Sequence, residues 1–272
     1  MKGKIWPVIR FAFGEVHTIL GVVGVFLTVI CLLDVNRLFP EFFTRVLLVT
    51  AIFAVAFLTA FVKTVMTRRI TVDLCKGRRG CVEFGNLFDK KDQIVIPVND
   101  AFDTLADDHV IATGSVHGQF ITHVIGRNVE YLDQMIEREL AKIPAAGEYG
   151  EEKTGKKRFY PLGTTITVSA AGKTFYLTAL THFEGNTVKP DLPGYYRALF
   201  TLIDYLNSQT AGKTVYLPLM GSGLARLGRE KELVLENMLT VLRMSETAMV
   251  GEMCIVLHKG DWGTINLHKF KG

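Results

Sequence analysis

The chain has 272 residues, 49% of them hydrophobic and 21% charged, with a mean hydropathy of +0.25. That balance excludes a disordered or fibrous chain and leaves room for one sizeable domain plus an extra module. The net charge of +4 is uneven: residues 1–80 carry 11 Lys and Arg against 4 Asp and Glu, and residues 81–272 carry 20 against 23. The basic excess sits beside the greasy segments, where it sets membrane topology, so the pI near 8.8 does not indicate a nucleic-acid-binding domain. Cys31, Cys75, Cys81 and Cys254 contain no CxxC pair, which argues against a zinc site and for reduced thiols in a cytosolic compartment.

Two uncharged stretches open the chain, Val16 to Leu33 and Val46 to Val62. A bilayer core of roughly 30 Å needs about 20 helical residues, so each stretch fits a short transmembrane helix. A signal peptide is the competing reading of the first. No small-x-small cleavage site follows it, and Asp34 to Pro40 reads as a tight turn into a second span, which favours a hairpin. Lys2, Lys4 and Arg10 precede the first span, and Lys63, Arg68, Arg69, Lys76, Arg78 and Arg79 follow the second. Both termini are therefore expected to face the cytoplasm. Gly14, Gly21 and Gly24 permit close helix approach, although glycine is also simply common in membrane helices. The expected organisation is a two-span transmembrane hairpin over 1–69 and a cytosolic domain over 70–272.

In the second part, Gln93 to Val98, Thr174 to Leu180, Thr214 to Leu217 and Met253 to Leu257 read as buried strands, and Thr164 to Ser169 as a half-exposed one. Helical stripes fall on Leu132, Met135, Ile136 and Leu140, on Leu199, Leu202, Ile203 and Leu206, and on Leu235, Met238, Leu239 and Leu242. Asp191 and Pro193 start the second of these helices. Strands alternating with helices give an α/β fold with a mixed, mostly parallel, helix-covered sheet. Gly147 to Lys157, charged and glycine-bearing, reads as a solvated loop.

Ligands of such sheets bind beyond the carboxyl ends of the strands. Two turns stand there: Asn99-Asp100 with the later Gly114-Ser115-Val116-His117-Gly118-Gln119, and Pro218-Leu219-Met220-Gly221-Ser222-Gly223-Leu224 leading to Arg226. Glycine-rich strand-to-helix turns expose main-chain N–H groups that cradle phosphate oxygens. Gly172-Lys173-Thr174 and Gly212-Lys213-Thr214 only mimic a P-loop, since each lacks the earlier glycine and leads into a strand. Gly221 and Gly223 begin a dinucleotide pattern, but Arg226 stands where its third glycine belongs. There is no G-x-S-x-G elbow and no H-E-x-x-H. His117 with His123 as metal ligands and Asp107-Asp108 as a catalytic pair are both weaker readings than a buried histidine and a solvated turn.

Taken together, the two turns resemble those of a macro domain, an α/β/α three-layer module. Gly85-Asn86-Leu87 followed by Gln93 to Asn99 is similar to that family's first strand region. Gly114 to Phe120 and Pro218 to Leu224 resemble its two phosphate loops. Arg158 to Thr165, Phe175 to Leu180 and the Pro-Leu-Met-Gly-Ser-Gly-Leu turn look more specifically like the membrane-anchored macro effectors of type II Thoeris antiphage systems. The likeness extends over the hairpin.

The resemblance implies a protein that is not an enzyme and needs no cofactor. Its ligand is an ADP-ribose derivative, a histidine conjugate made from NAD by a partner TIR-domain protein. It further implies an inner-membrane location with the macro domain cytoplasmic, contact with lipid, no nucleic-acid partner, and homo-oligomerisation on activation that disrupts the membrane and aborts infection. By position, Gly221, Ser222, Gly223 and Leu224 would hold the diphosphate through main-chain N–H groups, and Ser115, Val116, His117 and Gly118 would close over its other side, with Leu219, Met220 and Gln119 also among the ligand-binding residues. Asn99 and Asp100 would lie near the proximal ribose or the group conjugated to it, Asn86 near adenine, and Arg226 either against phosphate or, as a helix-start arginine, in solvent. Asn86 replaces an aspartate common in the family, Ile96 replaces the first of an asparagine pair, and Gly114-Ser115-Val116-His117-Gly118 replaces a triple-glycine run. These departures weigh against the alternative, a membrane-tethered ADP-ribosyl hydrolase.

Overall fold

The structure, a computed structural model, describes Val16, Leu20, Gly21, Gly24 and residues 42–74, 78–126, 128–221, 230–245 and 251–270. Two compact units arise: residues 1–68 with 261–269, and residues 69–260 with 270–272.

In the first unit, helix α1 (Phe42–Met66) contains the second expected span. It leaves Leu47, Phe53, Val55, Leu58 and Val62 exposed and buries Ala56, Ala60 and Thr64, which share one face at four-residue spacing. Counted over the described residues, no helix is long and apolar enough to cross a membrane. The first expected span, 16–33, lies outside the described residues apart from four positions, and Gly14 lies outside them too. At the far end of this unit the Arg68 guanidinium stacks over Trp262, 4.6 Å from the ring centre.

The second unit contains β1 (Arg69–Asp73), β2 (Arg79–Gly85), β3 (Gln93–Asn99), α2 (Val116–Gln119, continued by a π-helical turn Phe120–Ile125), α3 (Val129–Leu140), β4 (Gly147–Glu148), β5 (Arg158–Phe159), β6 (Thr165–Ala170), β7 (Lys173–Glu184), β8 (Thr187–Lys189), α4 (Leu192–Gln209), β9 (Val215–Pro218), α5 (Lys231–Met244) and β10 (Met253–His258). The main sheet runs β1-β2-β10-β9-β3-β7-β6, with β8 added to the end of β7. The central pairings β2·β10, β10·β9, β9·β3 and β3·β7 are parallel, and β1·β2, β6·β7 and β7·β8 are antiparallel. The sheet is thus mixed and mostly parallel.

Strand periodicity sorts side chains into two layers. Ile94, Ile96 and Val98 of β3, with Phe175 and Leu177 of β7, pack with Phe120, Ile121, Leu132, Ile136 and Leu140. The opposite layer buries Leu199, Leu202, Ile203 and Leu206 of α4 and Leu235, Met238, Leu239 and Leu242 of α5. Asp191 caps α4 by accepting from the Gly194 N–H at 2.9 Å, with Pro193 in the first turn.

Two sequence expectations are corrected here. Cys81 and Cys254 are joined as a disulfide instead of standing as free thiols, because the parallel register places Cys254 opposite Cys81 with the Cα atoms 4.4 Å apart. Glu83 lies beside the bridge, the nearest approach to a metal-ligand cluster among the described residues. With both sulfurs bonded to each other, its carboxylate is the one donor left, and it pairs with Lys90. Residues 147–159 are likewise no simple solvated loop. They form the β4·β5 hairpin, and its turn carries Lys153, which is 1% exposed.

Candidate functional site

At the carboxyl ends of the parallel strands β3 and β9 lies a cavity of about 510 Å³. Pro97, Val98 and Asn99 form its floor. Val110, Ile111, Ala112, Gly114, Ser115, Val116 and His117 form one wall, and Leu180, Thr181, Phe183 and Val188 another. Leu219, Met220 and Gly221 close the third side.

Seven residues expected from sequence therefore line one cavity: Asn99, Ser115, Val116, His117, Leu219, Met220 and Gly221. Asp100, Gly118 and Gln119 are not on the lining: Gly118 and Gln119 are held in local bonds of the turn, and the Asp100 carboxylate meets Tyr149 and His182. Asn86 is not on the lining. It is exposed, its Oδ1 accepts from the Phe88 N–H at 3.2 Å and its Nδ2 donates to Asp89 at 3.0 Å, so it caps the turn 87–89. Ser222, Gly223, Leu224 and Arg226 lie outside the described residues.

The first turn is shaped by its own hydrogen bonds. Ser115 Oγ donates to the Ala112 carbonyl at 2.7 Å and accepts from the Gly118 N–H at 2.9 Å, capping α2. Gly118 is required by close approach: a Cβ there would sit 2.7 Å from Thr113 Cα and closer still to the Ala112 carbonyl oxygen. Gln119 Nε2 donates to the Gly114 carbonyl at 2.9 Å. The amides of Val116 and His117 open the helix and have no intrahelical acceptor. On the third side, Tyr195 Oη donates to the Met220 carbonyl at 3.1 Å, and Gly221 takes a φ of +88° to turn the chain.

Asn99 Oδ1 accepts from the Asp103 N–H at 3.1 Å, so its Nδ2 remains as a donor at the floor. His117 is buried, 8% exposed, on the wall of the cavity. Burial holds its pKa down to about 3, with the Lys156 charge a smaller push in the same direction, so the ring is neutral at any physiological pH. His123 is exposed on the π-helical turn. Asp107 and Asp108 are exposed and spend their carboxylates on the turn, accepting from His109, Val110 and Thr113 N–H groups, which lowers both pKa values.

Behind the wall that carries Thr181 and Phe183 sits a network that sequence reading missed. Tyr149 Oη donates to Asp100 Oδ1 at 2.6 Å and accepts from the Phe183 N–H at 3.0 Å. His182 Nδ1 meets Asp100 Oδ2 at 2.6 Å. Burial raises the Asp100 pKa, opposed by the bonds from Tyr149 and His182, and burial likewise raises that of Tyr149. Lys153 Nζ pairs with Asp103 at 2.8 Å, both side chains 1% exposed, and also donates to the Thr154 and Lys156 carbonyls. Asp103 thus anchors the 147–159 strap while its own N–H serves Asn99. The strap's charges hid this role, because its partners lie about 50 residues away in sequence.

A mixed sheet between helical layers, with a cavity closed by glycine turns at the strand ends, defines a macro-domain fold. The Oceanobacillus iheyensis macrodomain, solved with ADP, matches 74% of this chain and 94% of its own at a TM-score of 0.51 and 13% identity. Within that class, residues 81–258 match the Thoeris protein ThsA macro-domain family, and the chain belongs to it. Thoeris protein ThsA of Bacillus amyloliquefaciens (strain Y2) is 27% identical over 239 residues, covering 83% of this chain and 77% of that protein.

Proposed function

We propose that the chain is a membrane-anchored effector of a Thoeris system whose macro unit binds an ADP-ribose derivative. The carrying observation is the cavity between the two glycine turns, in a chain of the ThsA macro-domain family. Its polar side chains are the uncharged Asn99, Ser115, His117 and Thr181, a lining suited to holding a nucleotide through neutral groups and main-chain N–H donors. The ligand, a histidine conjugate of ADP-ribose in this proposal, is made by a partner TIR-domain enzyme of the type II branch. The protein performs no turnover and needs no cofactor.

The sequence of residues 1–69 supports a two-span hairpin in a bacterial inner membrane, with the macro unit cytoplasmic. A two-span hairpin cannot enclose a pore alone, so membrane damage requires association. The ligand drives it by binding the associated state more tightly, and the ratio of its two affinities sets how far the equilibrium moves. The test is the mass of the full chain in detergent with and without histidine–ADP-ribose. A ligand-dependent rise supports the mechanism, and an unchanged mass refutes it. Val55→Lys on α1, where Val55 is exposed, should end toxicity and spare ligand binding, at an insertion cost of about 2.5–3.5 kcal/mol.

A further inference from the structure

The cavity wall on the β7 side reaches past the sheet. Asn99, the last residue of β3, pairs with Thr181, and β7 continues to Glu184 before folding back as β8. Directly opposed residues of an antiparallel pair share a face, so the partners Phe183 and Val188 point the same way, and both line the cavity. The alternate residues His182, Glu184 and Lys189 take the opposite face, where Glu184 and Lys189 form an ion pair at 3.3 Å and His182 meets Asp100. The ribbon thus turns its charges away from the cavity and presents one aromatic and one branched apolar side chain to it.

That face is held in place from behind. The Phe183 N–H donates to Tyr149 Oη at 3.0 Å, and the Lys153 ammonium lies 5.1 Å from the Phe183 ring centre. At the tip of the ribbon Asn186 Oδ1 accepts from the Thr154 N–H and its Nδ2 donates to the Glu152 carbonyl, both at 2.8 Å. A preorganised aromatic wall packs a flat ring at little ordering cost, and the described lining carries no charged side chain that would favour an ionic group instead. We propose that the Phe183–Val188 face is a subsite for a flat ring attached to the terminal ribose of the ligand. This rests on the proposed ADP-ribose site. With the diphosphate at the glycine turns and the ribose at Asn99, the next group outward meets the ribbon, which leaves the sheet opposite Asn99.

The experiment is calorimetry on the full chain in detergent with ADP-ribose, imidazole–ADP-ribose and histidine–ADP-ribose, comparing wild type, Phe183→Leu and Val188→Ala. The imidazole conjugate carries the ring without the ammonium and carboxylate of the amino acid, so it separates the two ends of the histidine group as sources of recognition. Wild type should bind both conjugates more tightly than ADP-ribose. Phe183→Leu, which keeps apolar bulk and removes the ring, should weaken both conjugates roughly three- to tenfold more than it weakens ADP-ribose. Val188→Ala, which leaves the Phe183 bond to Tyr149 in place, should act in the same direction by a smaller factor, and it decides the matter if Phe183→Leu does not fold. An equal change for all three ligands overturns the inference, and so does no change. A wild type without preference for the conjugates also overturns it, as does a differential loss confined to the histidine conjugate, which would place recognition at the amino-acid end. A wild-type chain that binds none of the three refutes the proposed site itself.

Discussion

Acid should reveal His117 before any ligand is added. The ring is held at a pKa of about 3 in the folded chain, whereas an exposed histidine titrates near about 6.5. Below about pH 6.5 the unfolded chain takes up a proton that the folded chain refuses until about 3. The stabilisation is therefore complete above the unfolded pKa and is lost as pH falls, at about 1.4 kcal/mol per pH unit. Between about pH 8 and 4.5 the loss is roughly 2.7 kcal/mol, a large share of a typical domain's 5–15 kcal/mol. Asp100 acts in the opposite sense: its raised pKa lets the folded chain bind a proton first on acidification, which offsets part of the loss. Comparison with His117→Gln cancels that contribution, because both chains keep Asp100. Urea unfolding across this pH range should show wild type losing roughly 2.7 kcal/mol more than the variant. Parallel pH profiles for the two chains would refute the buried, neutral ring.

Gly118→Ala should destabilise by about 1–3 kcal/mol, because backbone atoms of Ala112 and Thr113 stand where the methyl would go. Gly114→Ala, with nothing within 4 Å of the new Cβ, should melt within a degree or two of wild type. Lys153→Met should cost about 3–5 kcal/mol in chemical unfolding, since it leaves Asp103 charged, buried and without its cation. Tyr149→Phe, which removes a hydroxyl shared by Asp100 and the Phe183 N–H, should cost about 1–3 kcal/mol in the same assay.

Local chemistry made much of this fold legible. Gln93 to Val98 and Met253 to Leu257 are continuous apolar runs because both their faces are covered, and Asp191 with Pro193 marks the start of α4 without any knowledge of its partners. The two turns at the strand ends were also visible, since glycine clusters follow buried strands there. What stayed hidden depends on distant partners. Lys153 reads as a surface lysine until Asp103 is placed beside it, and Cys81 reads as a lone thiol until register brings up Cys254, 173 residues away. The wall formed by Thr181 and Phe183 lies beyond the apolar run Thr174 to Leu180, where polar Thr181 and His182 interrupt the hydrophobic signal. Instead β7 runs on to Glu184 and folds back as β8. Ser115 and Gly118 read as part of a phosphate turn, yet the Ser115 hydroxyl and the Gly118 amide are consumed in shaping it.

The central claim is that this cavity takes an adenine-bearing diphosphate through its glycine turns. Titration of ADP-ribose into the full chain by calorimetry tests it most directly. The account predicts saturable one-to-one binding to wild type and its loss in Gly223→Glu, which adds a negative charge to the turn that the sequence assigns to the diphosphate. No measurable binding to wild type, or undiminished affinity in the glutamate variant, would contradict it.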